Sequence, residues 1–279
     1  MMDYVDFLLW PFLICLSLVA IHAYFGLHII KRGIIFVDLS LAQVAGLGMT
    51  LAFLLGYEPH GAVPYMFSLG FAFIGAVLFT FAKGVKGKVP QEAIIGIVYA
   101  VSAAASILTV SHSPEGAEHI EHMLVGSILT VTPAMVLRAS LVFAGVGLFH
   151  WLARAKFLPL TFGGARQPVH RIWDFLFYAT FAIMVTTAVK ICGVLMVFIF
   201  LVVPGVFGSL VAEKFLYRLI SAWVFGVISS ALGLAASFWM DTPTGATIVC
   251  AFGLMLLLYT AVRILKKTGV RAEMLEEDA

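Results

Sequence analysis

Charge is what this chain has least of. Only 11% of its 279 residues are Asp, Glu, Lys or Arg, against 62% hydrophobic, and the mean hydropathy is +1.06. Soluble domains carry about 25% charged residues, so a soluble enzyme or binding module is excluded and the chain reads as an integral membrane protein. Cysteine is scarce as well. Cys15, Cys192 and Cys250 are odd in number, lie in apolar runs and stand at no redox or metal-ligand spacing, which excludes a disulfide framework and makes them packing residues. Also missing are a G-x-x-x-x-G-K-[ST] loop, a G-x-G-x-x-G turn and an H-E-x-x-H pair. The chain therefore has no phosphate cradle or zinc-protease site of its own, and any uphill movement it performs draws on a partner or a gradient. Its start, MMDYVDF, puts Asp3 and Asp6 where a cleaved secretory signal carries Lys or Arg, so the first apolar segment is expected to remain.

What is abundant is long apolar sequence. Runs of the roughly 20 residues that a helix needs to span hydrocarbon recur along the chain, at 7–30, 34–56, 63–82, 93–111, 133–153, 173–189, 193–212, 218–238 and 244–264. Their length argues helices and not a barrel. The expectation is an all-α polytopic protein of eight or nine transmembrane helices, with 173–212 either two crossings or one broken unit. Pro204 lacks a backbone donor and is expected to bend or break its helix. Domains divide as 1–265, the membrane part, and 266–279, a polar tail expected to fray.

Basic residues alternate between loops. Lys31 and Arg32, 83–88, 154–171, Lys214 and Arg218, and 263–271 fall on one side. The opposite loops, YEPHGAVP, SHSPEGAEHIEH and MDTPTG, are acidic and histidine-bearing, with Arg138 and Lys190 as the nearby exceptions. The positive-inside rule places the N-terminus outside and the C-terminus in the cytoplasm.

Several polar residues stand inside this apolar sequence. In FVDLSLAQVAG, Asp38 and Gln43 lie about 140° apart on a helix, so they do not share one narrow face. An ionised carboxylate at membrane depth must face protein or water, and Asp38 either snorkels to Lys31 or Arg32 or belongs to a path. Gln43, near mid-span, either glues helices together or lines that path. Ala42 and Gly46, four apart, permit close helix approach. His22 reads as a hydrogen-bonded core histidine or a ligand, and His28, nearer the helix end, as an interface residue. Six residues apart, the two histidines cannot clamp a metal from one face. The loop at 112–122 gathers His112, Glu115, Glu118, His119, Glu121 and His122. It is either a solvated or docking loop or, at i, i+3 and i+4 spacings, a collector of divalent cations at the outer side. Lys190 either meets lipid headgroups or closes a gate.

The pattern resembles the permease subunit of the zinc/manganese-type ABC importer family. KRGIIFVDLSLAQVAGLGMTLAFLLG is similar to the family's RRMAFLGDALSHAALPGVALGFLLG. EAIIGIVYAVSAAASIL and HMLVGSILTVTPAMV resemble its D-x-AIGIVF and LFGDILAVS segments. VKICGVLMVFIFLVVPG is similar to VRVVGVLLVSALLIAPA, and DTPTGATIV to DLPPGPTIV. The order and spacing hold over most of the chain. Aligned without a gap from the shared FLLG end, the family's metal-contacting Asp falls on Leu39 and its His on Gln43, so that pair does not carry over, and Asp38 stands where the pattern has glycine.

The resemblance implies a permease in the inner membrane of a bacterial-type cell, forming a dimer of like copies amid membrane lipid. It implies two copies of a cytoplasmic ATPase that supply the ATP site, and an extracytoplasmic solute-binding protein that delivers cargo. No cofactor of the chain's own, no enzyme activity and no nucleic-acid partner are expected. The family's ATPase-contacting segment falls at 162–171, with Phe162, Arg166, His170 and Arg171 in place of its acidic residues. Cargo would be zinc, manganese or iron, as ion or complex; without His at 43 the path offers harder oxygen ligands. The alternative is a proton-coupled secondary transporter in which Asp38 with His22 or His28 relays protons, although no inverted repeat with paired interrupted helices supports it.

Overall fold

The protein is described from a computed structural model that covers residues 4–58, 61–82, 89–111, 126, 128–163 and 171–277. Among these residues there is no strand. The helices are α1 (Tyr4–Arg32), α2 (Val37–Leu54), α3 (Ala62–Ala82), α4 (Gln91–Val110), α5 (Pro133–Leu152), α6 (Arg154–Phe162), α7 (Arg171–Val211), α8 (Phe215–Met240) and α9 (Thr244–Glu277), with a 3-10 turn at Ile128–Thr130 before α5. All but α6 are long and apolar enough to cross a membrane, eight among the described residues. Helices form because in hydrocarbon every backbone N–H and C=O must be satisfied within the segment.

Local chemistry sets the ends. Lys31 and Arg32 occupy the last turn of α1, where cations complement the free carbonyls, and Gly33 at φ 67° then turns the chain. Thr132 caps α5, its Oγ1 accepting the Met135 N–H at 3.3 Å, and Pro133 follows at the first helical position, where its missing donor costs nothing. The last helix runs from Thr244 through the polar tail to Glu277.

Helix α7 has 41 residues, roughly 60 Å if straight, about twice the hydrocarbon thickness. It is not straight. Gly193 adopts φ 75°, ψ 168°, backbone that glycine alone tolerates, and the two legs fold back on each other. On the first leg Asp174 meets Arg32 at the end of α1. On the second, Gly205 lies against Gly26 and Ile30 of the same helix, so both ends of α7 flank one end of α1. The apolar runs 173–189 and 193–212 are therefore two legs of one element. The break falls at Gly193 and not at Pro204, which sits buried within the helical second leg.

Helices α1, α2 and the two legs of α7 form the buried centre. Phe25, Phe177 and Phe181 pack at ring separations of 5.1 to 6.3 Å, and Phe200 meets Phe252 of α9 at 5.0 Å. The outer helices keep large apolar side chains exposed, such as Leu108 at 73% and Leu257 at 67%, as surfaces facing lipid or another chain require. Small residues set the closest crossings. A Cβ on Gly26 would collide with the Leu201 carbonyl, so α1 and the second leg of α7 touch backbone to backbone. Close approach of α2 to α3 occurs at Gly48, where a Cβ would lie 2.6 Å from the Phe67 carbonyl oxygen, beyond the Ala42–Gly46 step.

Candidate functional site

Asp38 lies in the first turn of α2 and is 1% exposed. No side chain among the described residues bonds its carboxylate, which has only the first-turn backbone N–H groups of Asp38 and Leu39 beside it. It does not snorkel to the basic pair: Arg32 turns away to Asp174 at 3.2 Å and Lys31 is exposed. Among the described residues the charged group that acts on Asp38 is another acid, Glu92 of α4. Glu92 Oε1 accepts the Phe36 N–H at 3.0 Å, one of the amides left free at the start of α2. Two carboxylates thus collect at a helix N-terminus, where the aligned peptide dipoles favour negative charge.

Further along α2, Gln43 is buried, 3% exposed. Toward the other end of the helix, a cavity of about 10 Å³ is lined by Gly46, Met49, Tyr65, Ser68, Thr186 and Lys190, among others. That is room for about one water. The Tyr65 hydroxyl lies 3.2 Å from Thr187 Oγ1, the Lys190 ammonium sits 5.7 Å from the Tyr65 ring centre, and Thr186 Oγ1 is buried without a partner among the described residues. Gln43 does not line this cavity, so α2 presents two separate polar places.

His22 is fully buried. Its Nδ1 lies 2.8 Å from the Leu18 carbonyl, so that nitrogen donates and Nε2 is left as an acceptor with no partner among the described residues. A phenyl edge, Phe143, covers the ring at 6.0 Å, and this environment suits a core histidine. His28 is not at an interface: it is buried, with Nδ1 2.7 Å from Thr161 Oγ1. Among the described residues no group of three or more His, Cys, Asp or Glu is gathered to hold a metal.

Of the segment 162–171, Phe162 closes α6 and packs on His28 at 5.3 Å and Phe215 at 5.2 Å. Arg171 opens α7 with its guanidinium 6.0 Å from the Phe81 ring centre. Arg166 and His170 lie outside the described residues. So do His112, Glu115, Glu118, His119, Glu121 and His122 of the histidine loop.

The structure adds a cluster that sequence reasoning missed. His150, in the last turn of α5, is 1% exposed; its Nε2 lies 2.8 Å from Thr180 Oγ1 and its Nδ1 3.1 Å from the Tyr24 hydroxyl. Phe157 of α6 stacks on that imidazole at 4.0 Å and 10°. Arg32 Nε donates to Thr161 Oγ1 at 3.0 Å, and its guanidinium lies 3.9 Å over Phe177. Gln91 Nε2 donates to the Tyr178 hydroxyl at 2.9 Å and to the Phe79 carbonyl at 3.0 Å. The available signal was a set of lone polar residues inside apolar runs; nothing in their spacing says which ones meet.

Eight apolar helices among the described residues, packed about a buried centre with polar groups distributed along it, define a polytopic helical membrane protein. The model of the ABC 3 transport family matches residues 4–263, and the chain belongs to that family. It is 26% identical over 260 residues to the "Probable iron transport system membrane protein" of Haemophilus influenzae, covering 91% of this chain and 89% of the relative. It is 27% identical over 210 residues to the manganese transport system membrane protein MntB of Synechocystis, covering 68% and 67%. Its fold is similar to a chain of PsaBC from Streptococcus pneumoniae, solved in complex with Fab, with a TM-score of 0.75, 20% identity and 92% of each chain covered. The chain is thus a member of a metal-transport permease family.

Proposed function

We propose that this chain is the permease subunit of an ABC importer that moves a divalent transition metal, as ion or complex, into the cytoplasm. The observation that carries the reading is the family match across 4–263 in a chain whose sequence holds no nucleotide-binding loop. Relatives named for manganese and iron transport support those two metals as cargo, and zinc enters through the sequence resemblance. The alternating basic loops support a membrane orientation with the N-terminus outside. The protein resides in the cytoplasmic membrane of a bacterial cell, as a homodimer with two ATPase copies inside and a solute-binding protein outside. ATP binding and hydrolysis in the partner rock the helices between outward and inward access.

Cargo passes along α2, with Gln43 as the mid-span oxygen ligand and Asp38 and His22 near the path. The histidines and carboxylates of 112–122 collect cations at the entrance. With Leu at 39 and Gln at 43 the path holds no fixed Asp/His pair, which favours weak oxygen ligation.

The test is uptake of Mn²⁺ and Fe²⁺ into vesicles holding the permease, the ATPase and the binding protein. ATP-dependent accumulation of either ion, lowered more by Gln43→Ala than by Leu39→Ala, supports the reading. Uptake that persists without the ATPase and follows a proton gradient would instead make the chain a secondary transporter.

A further inference from the structure

We infer that Thr161 is a positioning residue that clasps α6 to the helical core, so that movement of α6 is delivered to α1 and to the first leg of α7. The inference rests on the importer reading above, in which a cytoplasmic ATPase pushes on this end of the molecule.

Helix α6 is nine residues long and turns two faces to its surroundings. Arg154, Lys156 and Pro159 are exposed, whereas Phe157 is fully buried. Thr161 follows Phe157 by four residues and therefore lies on the same face. This face is bonded, not merely packed. The Arg32 Nε–H can only donate, so Thr161 Oγ1 accepts it at 3.0 Å. The hydroxyl hydrogen is then free for His28 Nδ1 at 2.7 Å. A single hydroxyl thus bonds two α1 side chains, one turn apart.

From Arg32 the contact continues to Asp174 at 3.2 Å and to the Phe177 ring at 3.9 Å, both on the first leg of α7. At the other end of the same face, Phe157 lies flat on His150, which is bonded to Thr180 of α7 and Tyr24 of α1. Two anchors one turn apart hold a helix against rotation as well as translation, and low-dielectric surroundings strengthen each bond. An element pinned in this way cannot slide over α1 and α7; it carries them with it. The family resemblance implies contact with the ATPase at 162–171, and this clasp, at Phe157 and Thr161, immediately precedes that segment.

The experiment compares wild type, Thr161→Val and Thr161→Ser in vesicles holding the complete complex, with Mn²⁺ and Fe²⁺ as probes and the ratio of ions imported to ATP hydrolysed as the readout. Valine keeps the shape and removes both bonds; serine keeps the hydroxyl. The expected result is ATPase assembly and hydrolysis near wild type for Thr161→Val, with the import ratio reduced at least about fivefold, the low end of measured coupling between sites, and recovery in Thr161→Ser. A Thr161→Val ratio equal to wild type, failure of serine to restore it, or loss of ATPase binding in Thr161→Val overturns the clasp as a transmission element. A wild-type complex without ATP-dependent uptake of either ion overturns the importer reading itself, and so is distinguishable from failure of the clasp.

Discussion

Arg32 and Asp174 form an ion pair at 3.2 Å, their side chains 8% and 1% exposed, across 142 residues of sequence. The pair ties the end of α1 to the first turn of α7, and Asp38, six residues beyond Arg32, meets no cation among the described residues. The two aspartates therefore differ in kind, one neutralised by a buried guanidinium and the other placed beside Glu92 at a helix start.

Removing one member of the ion pair strands a buried charge. Arg32→Ala or Asp174→Ala is expected to lower stability by about 3–5 kcal/mol, whereas the joint change Arg32→Met with Asp174→Leu stays much closer to wild type. Thermal unfolding of the purified permease in detergent, all three side by side, checks this. A joint variant as unstable as the single ones would show that the site needs ions as such.

Asp38→Asn has the opposite sign. It removes a buried carboxylate that faces a second acid, and stability is expected to hold or to rise by roughly 1 kcal/mol. The same melting measurement decides, and a marked drop would reveal a counter-charge that holds Asp38 in the folded chain. Transport by the variant reports separately on whether the carboxylate serves the path.

The turn between the legs of α7 belongs to one residue. Gly193→Ala forces a Cβ into backbone at φ 75°, ψ 168° and is expected to cost about 1–3 kcal/mol. Pro204→Ala, within a helical leg, is expected to stay within roughly 1 kcal/mol of wild type. Comparable melting of the two variants would refute the assignment of the break.

The α1–α7 crossing is expected to be equally selective among glycines. Gly26→Ala drives a methyl into the Leu201 carbonyl and should destabilise by about 1–3 kcal/mol. Gly145→Ala, with nothing within 4 Å of the added carbon, should stay within about 0.5 kcal/mol. Yield and melting temperature of the two proteins provide the comparison.

Much of this architecture was legible in the residues. The apolar runs coincide with helices, including the choice between one unit and two at 173–212, because both descriptions contain part of the answer: one continuous element, folded at Gly193. The order of the family's motifs was enough to place the chain before any fold was known. The site was less legible. Proximity along the chain offers Asp38 to Lys31 or Arg32 as one of two readings, nearness to a helix end suggests an interface for His28, and a missing backbone donor predicts a bend or break at Pro204. Each came from a local rule, and each was overruled by a neighbour from elsewhere in the chain or by a backbone angle that no side chain announces.

Insertion into a bilayer depends on the summed transfer free energy of a contiguous segment, so class, helix positions and approximate helix number follow from local runs of side chains. Which polar groups meet depends on how those helices pack. Thr161 reaches His28 across 133 residues and Tyr24 reaches His150 across 126. In a protein interior such partners are selected by close packing and by the cost of leaving a buried polar atom unsatisfied, and only the folded arrangement of α1, α5, α6 and α7 brings them within reach.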